Sequence, residues 1–147
     1  MTEARAGAPL YSTDLLALAV SLADHPFDPK FPLHGEARSR TCGGNVVFGC
    51  STSSDGSVDR FGFRVSACAV GQAAAAIFAH AAAGRTRDEI AAARDEIARW
   101  LAGEGDQTAW PGVERLAPAL PYPGRHGAIP LAWDAALAAL PIGEPAR

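Results

Sequence analysis

Thr41 to Ala76 reads TCGGNVVFGCSTSSDGSVDRFGFRVSACAVGQAAAA, and its pattern decides the fold. Asn45 to Thr52 alternates, with Val46, Phe48 and Cys50 on one face; Val58 to Ser66 alternates again through Phe61, Phe63 and Val65. Period-two alternation marks half-buried strands, and Ser54-Asp55-Gly56 supplies the turn residues of a hairpin between them. Gly35 to Arg40 is a short polar run that suits an edge strand. Cys42 lies in a glycine turn before the hairpin, and Cys68 follows it at the mouth of an alanine-rich helix. A meander followed by a helix brings both thiols to one end of a small sheet.

The flanking segments read as helices. Ser12 and Thr13 can cap a helix carrying Leu15, Leu16, Leu18, Ala19 and Leu22 at helical spacing. Three prolines between His25 and Pro32 force an extended connector. The spacing predicts a helix over Ala69 to Ala83 ended by Gly84, and Thr86-Arg87-Asp88-Glu89 forms a capping box for a helix to about Ala102. Pro111 to Ala117 reads as a short helix closed by Pro118, Pro121 to Gly124 as a break, and Leu131 to Leu140 as a last helix. The expected fold class is α+β: a small antiparallel three-stranded sheet with helices packed over it, in one domain over residues 1–147. Met1 to Pro9 is expected to be a disordered leader.

Composition narrows the function. Thirteen basic and 16 acidic residues give a net charge of −3 with no basic block, which gives nucleic-acid binding no electrostatic support. No signal-peptide pattern is present, and the longest apolar run, around His80, is too short to span a bilayer. Three cysteines make no disulfide framework, so a reduced, cytoplasmic setting is expected. There is no Gly-Lys-Ser/Thr loop, no Gly-x-Ser-x-Gly elbow and no Cys-x-x-Cys pair, which leaves an enzyme without a specific motif.

The thiols carry the chemistry. Glycines around Cys42 bare its sulfur, and the helix terminus at Cys68 favours an anionic one. Two such sulfurs suit a soft metal or sulfane sulfur, although free cysteines are also common small core residues. Cys50 shares a face with Val46 and Phe48 and reads as core. Among the histidines, His25 and His34 read as surface residues and His80 lacks a ligand partner at one-turn spacing. Only His126, in a turn before the last helix, is a candidate ligand.

With these residues in place, the chain resembles the iron–sulfur cluster assembly scaffold family, of the IscU/NifU N-terminal type with its SufU branch. Leu10-Tyr11-Ser12 is similar to the family's start, and Cys42-Gly43 stands where the family has Cys-Gly-Asp. Cys68 follows 26 positions later, with Asp55-Gly56 at the hairpin and Gly84 ending the helix. Thr86-x-Asp88-Glu89 resembles the family's capped helix, and Leu131-Ala132-Trp133 resembles the SufU branch. The likeness runs from about Leu10 to Leu140. It implies a non-enzymatic scaffold that takes sulfur from a cysteine desulfurase and assembles a 2Fe–2S cluster, with zinc as an alternative ion. It also implies Cys42 and Cys68 as cofactor-binding and metal residues, with His126 an auxiliary metal ligand.

The chain departs from the family at several ligands. Gly44 replaces the aspartate, Ala128 replaces the third cysteine, Gly127 replaces its histidine neighbour, and Leu-Pro-Pro-Val-Lys is absent. Clusters and tetrahedral zinc need about four donors. The expectation is therefore a homodimer sharing Cys42 and Cys68 from each chain, a partner supplying ligands, or a fold kept for interaction without ligation.

Overall fold

The computed structural model describes residues 12–40, 43–105 and 108–142. Helix α1 (Thr13–Ser21) begins where the Ser12 hydroxyl accepts from Leu15 N–H at 3.1 Å. After a 3-10 turn over Leu22–Asp24 come strands β1 (Leu33–Arg38), β2 (Asn45–Thr52) and β3 (Val58–Ser66). They form one antiparallel sheet in the order β1-β2-β3, the α+β arrangement expected. Helices α2 (Ala69–Ala82) and α3 (Arg87–Leu101), a 3-10 turn (Val113–Ala119), and helices α4 (Pro123–His126) and α5 (Leu131–Ala139) complete the chain. The expected leader, Met1 to Pro9, lies outside the described residues.

The register explains which residues face inward. Phe48 pairs with Phe63, and Cys50 with Phe61, so one sheet face presents aromatics to the helices. Phe78 of α2 sits 5.8 Å from Phe48, 5.1 Å from Trp110 and 5.2 Å from Trp133 of α5 (ring centroids). Trp110 satisfies its indole N–H by donating to Ile77 O at 3.1 Å. Helix α2 is buried on nearly every side, with Ala73 to Ala76 and Ala82 at 0–1% exposure. The alanine run thus has a packing reason as well as a helical one: short side chains let α1, α5 and the sheet approach a central helix.

Glycines set the closest approaches. A Cβ at Gly35 would stand 2.2 Å from Ala135 O and 2.4 Å from Ala139 N, so β1 lies directly on the α5 backbone. On the opposite face Gly49 pairs with Gly62, and the proline-rich connector folds over both. Its Phe27 and Phe31 rings cover Gly49, and a Cβ at Gly62 would meet Pro26 O at 1.9 Å. The connector is non-helical but extended only in part: Pro26 forms a parallel bridge with Phe63, whereas from Asp28 the chain turns, with Phe31 N–H donating to Asp28 O at 3.1 Å.

Two helix boundaries differ from the sequence reading. The segment before Pro118 is a 3-10 turn that runs through it to Ala119, and the break at Pro121 to Gly124 gives way at once to α4. Pro123 stands at the start of α4, where its missing N–H and fixed φ favour a helix. The Thr86 box forms in full: Thr86 Oγ1 accepts from Glu89 N–H, and Thr86 N–H donates to Glu89 Oε1. Among the described residues no helix is long and apolar enough to cross a membrane.

Candidate functional site

Arg38, Asn45 and Ser66 are aligned across the sheet, so the β1–β2 loop and the exit of β3 share one end. Ser39 N–H donates to Gly44 O at 2.8 Å and closes the neck of that loop. Cys42 lies outside the described residues; Arg40 and Gly43 on either side of it belong to this end. From Ser66 the chain passes through Ala67 to Cys68, which is the N-cap of α2 in extended conformation (φ −65°, ψ 170°). No side chain caps this helix, so its first-turn amides adjoin the half-buried Cys68 without a protein acceptor from a cap. Gln72 holds the turn by donating from Nε2 to Ala67 O at 2.8 Å.

Ala128 packs against this same turn. A Cβ at Gly71, three residues beyond Cys68, would be 3.1 Å from Ala128 Cβ and 2.8 Å from Ala67 Cβ. Ala128 is 1% exposed. A buried methyl therefore stands beside the Cys68 turn where the family resemblance calls for a thiol. Sequence reasoning does not reach Gly71, although a lone glycine inside an alanine helix signals a close approach.

His126 ends α4 nearby in the chain. Its Nε2 lies 3.0 Å from Leu120 O and 3.2 Å from Ala119 O. Carbonyls only accept, so Nε2 carries the proton and Nδ1 is left as the nitrogen able to bind a metal. Among the described residues, no three His, Cys, Asp or Glu side chains gather closely enough to hold a metal ion.

No family model matches the chain, and no curated protein does. Solved structures do. A nitrogen-fixing NifU-like protein (N-terminal) from Brucella abortus superposes with a TM-score of 0.78 at 28% identity, covering 88% of this chain and 91% of that one. In fold, the chain is similar to the NifU-like and SufU proteins. A SufU from Fervidobacterium islandicum AW-1, assigned as an iron–sulfur cluster assembly scaffold for the SUF system, also superposes with a TM-score of 0.78. It is 18% identical over 90% of this chain and 97% of its own, a likeness of fold.

Within this NifU/SufU-like chain the two described thiols differ sharply. Cys50 is 0% exposed on the inner face of β2, and burial pushes its thiol up to about 11. It is a core residue, as its alternation with Val46 and Phe48 implies. Iodoacetamide at neutral pH is expected to alkylate Cys68 in the folded protein and leave Cys50 unmodified until denaturant is added. Peptide mass spectrometry reads both sites, and equal labelling of the two would contradict the placement.

Proposed function

We propose that this chain is a divergent iron–sulfur cluster assembly scaffold or carrier that takes its cargo at the Cys68 end of the sheet. Cys42 and Cys68 are its sulfur donors, and His126 is an auxiliary donor through Nδ1. The observation that carries the reading is Cys68 itself: a half-buried thiol on an uncapped helix terminus, at the sheet end where Ser39 N–H bonds to Gly44 O. The scaffold fold supports it. The protein binds and passes on cargo, without turnover chemistry of its own, in the reduced cytoplasm where free thiols persist.

The donor set sets the stoichiometry. Gly44 contributes only backbone, and Ala128 contributes a buried methyl. A 2Fe–2S cluster needs about four protein donors, so one chain supplies about half. A second copy contributes its own Cys42 and Cys68. A cysteine desulfurase is the partner that delivers sulfur: a cysteine sulfur of this chain attacks the outer sulfur of the enzyme's persulfide. A new S–S bond forms, and the enzyme's thiolate leaves.

Protein purified without chelator is expected to contain iron and acid-labile sulfide in equal amounts, both lost in Cys68→Ser. Elemental analysis with sulfide titration decides this. Zinc without sulfide, held by Cys42, Cys68 and His126, would replace the cluster with a zinc site. The buried Ala128 favours a second reading, an interaction protein that keeps the fold without ligating. That reading predicts no metal and unchanged desulfurase recovery with Cys42→Ser and Cys68→Ser.

A further inference from the structure

The free edge of β3 bears an unpaired main-chain site. Phe63 N–H donates to His25 O at 2.8 Å, and Phe63 O accepts from Phe27 N–H at 3.0 Å. Both Phe63 groups therefore point away from β2. Alternate residues of a strand share that direction, so Val65 presents its N–H and C=O to the same edge. The connector does not reach it: the bridge joins Pro26 to Phe63, and no hydrogen bond covers Val65 on this side among the described residues.

Beside Val65 runs an open groove of about 470 Å³ between α1 and β3. Its walls include Val20, Leu22, Pro26, Phe63 and Gln72, with no charged side chain. Val20 is 74% exposed. The Gln72 amide, bonded to Ala67 O, ties the far wall to the residue before Cys68. An apolar groove alone does not define its occupant. An unpaired strand edge does, because a donor and an acceptor on one residue match an extended main chain.

We propose that this edge binds an extended peptide segment of a partner protein. Its main chain pairs with Val65 N–H and C=O, and an apolar side chain enters the groove between α1 and β3. The segment would lie along the approach to the Cys68 end, but the inference does not rest on what Cys68 carries.

The test uses the full chain in buffer free of iron and sulfide, panned against a phage-displayed library of short random peptides. Enriched peptides should carry alternating apolar residues, shift the Val65 amide resonance, and bind Val65→Pro about tenfold more weakly. Proline is suited to this position because the lost N–H is not part of the β2–β3 ladder. Val20→Glu changes only an exposed rim residue, and it should weaken binding similarly if Val65→Pro fails to fold. No enrichment, or equal binding to the variants, would overturn the proposal. So would a Val65 amide already protected from exchange in the free chain, or a concentration-dependent dimer lost in Val65→Pro. Those last two results would assign the edge to the chain's own residues or to a second copy.

Discussion

Gly35→Ala is expected to destabilise the protein by about 3 kcal/mol or more, because the new methyl has no room. It would stand 2.2 Å from Ala135 O, 2.4 Å from Ala139 N and 2.9 Å from Ala138 C, all backbone atoms of α5. A side chain could rotate aside; a helix backbone must translate, and α5 also carries the fully buried Trp133. Displacing it loosens the contacts of Trp133 with Phe78 and Trp110 together. At this size the cost corresponds to a melting temperature lower by roughly 10 °C. Gly124→Ala is the control: nothing lies within 4 Å of its Cβ position, and its stability should change by less than about 0.5 kcal/mol. Calorimetry of the two variants measures the difference, and a Gly35→Ala protein as stable as the Gly124→Ala control would contradict the β1–α5 packing.

Ala128→Cys carries the second large effect, as a gain. Ala128 packs on the turn of α2 that begins at Cys68, so under the proposed cargo reading a thiol there would add a donor at that end. A cluster short of donors in one chain should be held longer when a further thiolate is supplied. Reconstituted Ala128→Cys is expected to lose iron to a chelator at least about tenfold more slowly than the parent protein. The added sulfur enters a site 1% exposed and bordered by Ala67 and Gly71, so a packing cost of about 1–3 kcal/mol accompanies the gain. Iron release measured by absorbance gives the rate, and thermal unfolding gives the cost. An unchanged rate in a folded variant would separate Ala128 from the cargo site.

Local chemistry made much of the fold legible. The Thr86 capping box needs only residues three apart, and the Asp55-Gly56 turn needs only φ freedom at Gly56, observed at +86°. Alternation placed Cys50 in the core because Val46 and Phe48, which precede it on the same face, are apolar. The close approaches at Gly35 and Gly62 were not legible, since each depends on a backbone segment distant in sequence. The connector shows the same limit: its prolines forbid a helix, but its bridge to Phe63 is a tertiary event. At the site, the helix terminus at Cys68 was readable locally. The contact of Ala128 with Gly71 was not, and only the family resemblance singled out position 128.

Anaerobic reconstitution with ferrous iron and sulfide, followed by native mass spectrometry, tests the cargo reading most directly. A coloured species in which two chains share one 2Fe–2S cluster is expected, and it should be absent from Cys68→Ser. A colourless, metal-free monomer from the parent protein, or a cluster unchanged in Cys68→Ser, would contradict it.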